Sequence, residues 1–205
     1  MIVMIDYDAG NIKSVEKALL YLGQEAVITR DPEKILKADG VILPGVGAFG
    51  DAMEKLHTYG LVQVIRQCVQ ENKPFLGICL GLQLLFESSE ESPGVEGLGV
   101  LKGKVVRLPA ETGLKIPHIG WNDLKFPNTG RLFQGIEEGT FVYFVHSYYL
   151  IAAEPDIVTA TTEYGTVIHA SVEKGNIFAC QFHPEKSSDT GLKILRNFVK
   201  VTEEA

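Results

Sequence analysis

Residues 73–86, Lys-Pro-Phe-Leu-Gly-Ile-Cys-Leu-Gly-Leu-Gln-Leu-Leu-Phe, constrain this chain more than any other stretch. Phe75 to Ile78 form an apolar run of the kind buried in a parallel sheet. Helical spacing then takes over, with Leu80, Leu84 and Leu85 on one face. Cys79 sits at the switch, with Gly77 and Gly81 two residues to either side. That is the pattern of a nucleophile elbow, a turn so sharp that its neighbours must be small for the nucleophile to stand clear. A helix N-terminus also favours thiolate over thiol. A lone cysteine is more commonly a buried structural residue, but the paired glycines and the strand-to-helix switch favour a nucleophile.

The elbow belongs to a larger alternation. Strands are expected over residues 2–6, 26–29, 40–43 and 75–78. Helices are expected from Asn11 or Ser14 to Leu22, from Asp31-Pro32, from an Asp51 cap to Tyr59, and over 61–71. This βαβ texture implies an α/β fold, an open and mostly parallel sheet with helices on both faces and ligands at the carboxyl ends of the strands. After Pro93 come short β-like runs at 97–108, 119–126, 140–150, 157–162, 167–172 and 177–182, separated by Gly, Pro, Asn and Asp clusters. They predict antiparallel strands added in the second half, closed by a helix over 189–201. With 205 residues, 45% hydrophobic, and no linker or repeat, the whole of 1–205 reads as a single domain.

Composition excludes several functions. A net charge of −7 leaves no basic patch for nucleic acid. Cys68, Cys79 and Cys180 have neither zinc spacing nor a disulfide framework, so no metal or cofactor is expected. The first residues reach Asp6 after a short apolar run and read as a strand rather than a leader, and no run approaches a membrane span. A cytoplasmic protein is the expectation.

A cysteine nucleophile needs a base, and the base an orienting group. Of five histidines, His57 lies among polar helix residues and His169 has no acidic neighbour at a useful spacing. His183 is followed by Pro184-Glu185 after a strand. In extended backbone, residues two apart point the same way, so imidazole and carboxylate would share a face. An oxyanion site is also required. The N–H of Leu80 is one donor, and the loop 44–50 could supply a second where Gly45 and Gly47 permit close approach and a peptide flip. That loop lacks the lysine of a phosphate-binding P-loop and the spacing of a dinucleotide fingerprint.

Pro44-Gly45-Val46-Gly47, Gly77-Ile78-Cys79-Leu80-Gly81-Leu82-Gln83 and His183-Pro184-Glu185 together resemble the class I, triad-type glutamine amidotransferases. The resemblance implies their flavodoxin-like fold. It also implies hydrolysis of L-glutamine through a thioester on Cys79, with His183 as base and Glu185 orienting it. Val46, Gly47 and Leu80 would form the oxyanion site, and Gly45, Gln83, Ser147 and Tyr148 would bind substrate. Longer segments narrow the resemblance to glutaminase subunits of imidazole glycerol phosphate synthases: Asp6-Tyr7-Asp8-Ala9-Gly10-Asn11, Pro44 to Phe49, Pro117-His118-Ile119-Gly120-Trp121-Asn122 and Val145-His146-Ser147-Tyr148-Tyr149. Asp8 departs from that group, where glycine is common. Such subunits deliver ammonia to a (β/α)₈ cyclase partner. Trp121, in a Gly/Asn-flanked loop, is the candidate interface anchor, set against ordinary core packing. Asn11, His118 and Tyr143 are further interface candidates. Two rivals remain open: the glutaminase of pyridoxal phosphate synthase, and a redox-sensing elbow-cysteine protein with no need of His183 and Glu185.

Overall fold

The computed structural model describes residues 1–8, 10–110 and 113–204. Ala9, inside the 6–11 segment, lies outside the described residues. The first half alternates as expected: β1 (Ile2–Ile5), α1 (Ile12–Tyr21), β2 (Ala26–Thr29), α2 (Pro32–Leu36), β3 (Gly40–Gly45), α3 (Phe49–Thr58), α4 (Leu61–Gln70), β4 (Phe75–Cys79) and α5 (Leu80–Leu84). The second half contributes β5 (Ser88–Ser89), β6 (Gly103–Arg107), β7 (His118–Asp123), β8 (Phe141–His146), β9 (Tyr148–Ala152), β10 (Val158–Glu163), β11 (Val167–Lys174), β12 (Ile177–Cys180) and α6 (Ser188–Glu204).

Seven strands form the main sheet in the order β10-β11-β12-β4-β3-β1-β2. The run from β2 to β12 is parallel, and β11 and β10 extend it antiparallel. The parallel part has the 2-1-3-4-5 order of the flavodoxin-like fold. Strand alternation sorts the core into two layers. Val3, Ile5, Val41, Leu43 and Phe75 pack with α2, α3 and α4 on one face. Ile2, Met4, Ile42, Leu76 and Ile78 pack with α1 and α6 on the other. The remaining strands form two small sheets, β5-β6-β9 and β7-β8, which the sequence pattern did not separate from the main one.

Several local expectations are corrected. Asn11 occupies the N-cap position of α1 with φ 70°, but its side chain makes no capping bond. Asp51 does not cap α3, which starts earlier; the N–H groups of Phe49 and Gly50 donate instead to Glu91 and Ser92. The 97–108 run is strand only from Gly103, and the 140–150 run breaks at Ser147 because β8 and β9 join different sheets. Asp31 does cap α2. Asp8, where glycine is common, has φ 62°, the region glycine enters without strain. Its carboxyl, held below the usual range by Tyr59 and then Arg30, ties this loop down.

The elbow glycines have a steric reason. A Cβ on Gly81 would stand 1.9 Å from the Leu43 carbonyl oxygen, and one on Gly77 would stand 2.7 Å from that of Gly81. Helix α5 is thereby pressed directly onto β3. Gly81→Ala should cost about 3 kcal/mol or more, read as a lower midpoint in denaturant. A midpoint within experimental error of the parent would contradict this packing.

Candidate active site

Cys79 ends β4 with φ 56° and ψ −108°, an unusual conformation for a residue with a side chain. Holding it costs on the order of 1–3 kcal/mol, and burial of Leu80, Leu82 and Leu84 under the sheet supplies the restraint. Its sulfur is 3.7 Å from Gln181 Nε2 and 4.0 Å from the Val145 carbonyl oxygen. Leu80 begins α5, so its N–H has no intrahelical acceptor.

His183 follows the carboxyl end of β12, the neighbour of β4 in the sheet. Its Nδ1 lies 2.8 Å from Glu185 Oε1. The route differs from the expected one: Pro184–Lys186 is a 3₁₀ turn that curls Glu185 back onto the imidazole. Tyr143 grips both ends of this turn. Its carbonyl accepts from the His183 N–H at 2.9 Å, and its own N–H donates to Ser187 Oγ at 2.9 Å. Asn11 Nδ2 donates to the same Glu185 oxygen at 2.5 Å, so the amide expected at an interface is bonded to the carboxylate beside His183. Burial disfavours charge on His183, but its interactions with Cys79 and Glu185 outweigh this and push its pKa up to about 10. Nδ1 is committed to Glu185, so the interaction with Cys79 falls to Nε2, which among the described residues has no partner close enough for a hydrogen bond.

A cleft of about 320 Å³ opens over Cys79 and His183, the low end of a small-ligand site. Of the residues expected around it, Val46, Gly47, Leu80, Gln83, Ser147 and Tyr148 line it. Gly47 has φ 100° and Val46 is exposed. Gly45 does not reach the cleft: it is buried in β3, where a Cβ would stand 2.3 Å from Tyr7 Oη. Tyr7, which donates to the Pro44 carbonyl at 2.9 Å, was not anticipated. Nor were Gln181 and the wall residues Glu91, Pro117, Val145 and His146. Gln181 was within reach of the same period-2 rule that singled out His183, since it lies two residues before it.

The other interface candidates separate sharply. Trp121 lies on strand β7 rather than in a loop and is 52% exposed, against Tyr143 with ring centroids 6.0 Å apart. His118 is buried, stacked between Phe144 and Tyr164, and is corrected to an interior position. Among the described residues, no helix is long and apolar enough to cross a membrane, and no group of three His, Cys, Asp or Glu could hold a metal ion.

Residues 3–201 match the family model described as glutamine amidotransferase class-I. This chain belongs to the class I glutamine amidotransferase family. It is 54% identical over 204 residues to the "Imidazole glycerol phosphate synthase subunit HisH" of Moorella thermoacetica, covering 100% of this chain and 96% of that protein. The protein of that name from Aquifex aeolicus is 52% identical over 202 residues, 98% of this chain and 97% of its own. A crystal structure of a glutamine amidotransferase superposes with a TM-score of 0.77 at 22% identity, over 99% of this chain and 100% of that one. PurLQS from Thermotoga maritima gives 0.72 at 21%, covering 97% of each. At these identities the two structures bear on the amidotransferase fold alone.

Charge on His183 links this amidotransferase's stability to pH. A folded-state pKa above the ordinary 6.5 favours folding fully below about 6.5, and the contribution is lost as pH rises through about 10. Glu185→Gln removes one cause of the shift. Its deficit in melting temperature should be largest near pH ~6 and shrink toward pH ~10; a deficit that grows with pH would contradict the assignment.

Proposed function

We propose that this chain is the glutaminase component of an imidazole glycerol phosphate synthase and releases ammonia from L-glutamine for a (β/α)₈ cyclase partner. The observation that carries the reading is the strained Cys79 facing one cleft with a buried His183–Glu185 pair. Identity above 50% across the full length of the HisH proteins supports the choice of synthase. On this reading residues 1–205 act as one amidotransferase domain in the cytoplasm.

The chemistry follows from the geometry. The Cys79 thiolate attacks the side-chain carbonyl carbon of glutamine, forming a C–S bond and moving the C=O electron pair onto oxygen. Backbone N–H groups at Leu80 and in the Val46-Gly47 segment stabilise that oxyanion. His183, held protonated by its neighbours, gives its Nε2 proton to the nitrogen as the C–N bond breaks, releasing ammonia. Water, deprotonated by the now neutral His183, then attacks the thioester; glutamate leaves and the thiolate returns. Glu185 and Asn11 keep the ring aligned through both halves. Gln83, Ser147 and Tyr148 form the wall against which the amino-acid end of glutamine would rest.

Ammonia in water at neutral pH is mostly ammonium, which has no lone pair to attack with, so a direct handover is needed. The β7-β8 sheet offers a surface for it. Ile119 opposite Val145, Trp121 opposite Tyr143 and Asp123 opposite Phe141 share one face, and Val145 also lines the cleft. Ile119 and Phe141 are 60% and 55% exposed, so an apolar strip runs from the cleft outward. The Tyr143 backbone that grips the His183 turn belongs to this strip.

Glutamate release should be stimulated by a cyclase subunit and its ligand. Cys79→Ala should reduce it by about a thousandfold or more. Trp121→Ala should weaken the complex about thirtyfold while leaving the unpartnered rate unchanged. Retained turnover in Cys79→Ala removes the thioester mechanism, and absence of stimulation by the cyclase removes the assignment to this synthase.

A further inference from the structure

A line of buried polar side chains links the β7-β8 sheet to the nucleophile, and the proposed chemistry leaves most of it unused. His146 Nδ1 is 2.9 Å from the Tyr148 carbonyl oxygen, and its Nε2 is 3.0 Å from His118 Nδ1. Gln83 Nε2 is 3.1 Å from the same Tyr148 oxygen and 2.9 Å from Gln181 Oε1. Gln181 Nε2 is 3.7 Å from Cys79 Sγ. Gln181 is fully buried, and Gln83, His118 and His146 are nearly so.

The orientation of every link follows from the one group that cannot donate, the Tyr148 carbonyl. Both of its neighbours must donate to it, so His146 carries its hydrogen on Nδ1 and Gln83 points its NH₂ at Tyr148. Burial drives both imidazoles to their neutral forms, His118 to about 4 and His146 to about 3. Neutral His146 therefore has a bare Nε2, and His118 must donate to it from Nδ1. The second Gln83 hydrogen meets Gln181, which must present Oε1, since a flipped amide would set NH₂ against NH₂. The Gln181 NH₂ is left facing the sulfur. A carbonyl passes no proton on, so the line is a fixed frame and not a proton wire.

We infer that Gln181 is a further catalytic residue, donating a side-chain N–H to the Cys79 sulfur, and that Gln83, the Tyr148 carbonyl, His146 and His118 are positioning residues that hold its amide in this orientation. A donor on the sulfur stabilises the thiolate more than the thiol, because hydrogen bonds to charged acceptors are the stronger ones. It rests on the reading of Cys79 as nucleophile, but its test does not need glutamine turnover.

That test is alkylation of the full chain by iodoacetamide at neutral pH, with the modified cysteine identified by mass after digestion. Cys68 and Cys180 are buried and held as thiols by desolvation, so the reaction reports Cys79. Gln181→Met keeps the volume and removes the donor; alkylation of Cys79 should slow about tenfold. His146→Leu, at a side chain whose hydrogen bonds go to His118 and the Tyr148 carbonyl, should slow it about threefold, while His146→Asn, whose amide can replace the Nδ1 donor, should stay near the parent rate. A purely structural role would lower the melting temperature and leave folded Cys79 as reactive as before or more exposed. Unchanged or faster alkylation in folded Gln181→Met overturns the assignment of Gln181. Equal rates in His146→Leu and His146→Asn overturn the positioning role of the frame. Slowed alkylation in a chain that never releases glutamate would support Gln181 while removing the glutaminase reading.

Discussion

The contact of Gly81 with the Leu43 carbonyl is the constraint on which the rest of the site depends. Without a side chain at Gly81, α5 lies directly against β3, and the chain must leave β4 through a turn too tight for ordinary backbone. Cys79 takes that turn at positive φ. The local cost is met by an apolar helix sunk wholly into the core, so the strain persists and the sulfur stays in one place. A parallel sheet then does the assembly. Cys79 ends β4 and His183 follows β12, the neighbouring strand, so two residues about a hundred positions apart in sequence meet at adjacent carboxyl ends.

Electrostatics completes what topology begins. Glu185 is removed from water and accepts from both His183 and Asn11, which keeps an acid and a base fixed where solvent cannot screen them. The elements that supply these contacts are not local. Asn11 comes from the start of α1, and Tyr143 from a strand of the outer two-stranded sheet. The outer sheet thus has an apolar face toward solvent, a backbone bonded to the His183 turn, and a buried face carrying His118 and His146. In the proposed complex, a partner resting on Trp121 and Tyr143 would press on the strand that positions the base.

The parallel core and the elbow were legible in the sequence because each rests on local pattern: apolar runs, cap-then-proline at Asp31-Pro32, and glycines spaced around Cys79. His183-Pro184-Glu185 was legible as a pair, but for a geometric reason that did not hold, since the backbone turns there instead of extending. Asn11 and Asp51 show why caps mislead. Both have side chains suited to capping, yet a tertiary acceptor took Asn11 and tertiary acceptors served α3 in place of Asp51. His118 was grouped with Trp121 as an interface candidate, but strand alternation sends the two to opposite faces. The contacts of Tyr7 and Gln181 are long-range, so no local pattern could reveal them, although the two-residue spacing of Gln181 from His183 did mark its face.

On the proposed mechanism one sulfur, Cys79, is where glutamine is bonded and broken. Its most direct test is labelling with an electrophilic glutamine analogue, a halomethyl ketone carrying the intact amino-acid head, followed by mass analysis. One adduct per chain is expected, on Cys79, prevented by excess L-glutamine and absent with the D-enantiomer of the reagent. Labelling elsewhere with equal stereoselectivity, or no protection by L-glutamine, would contradict it.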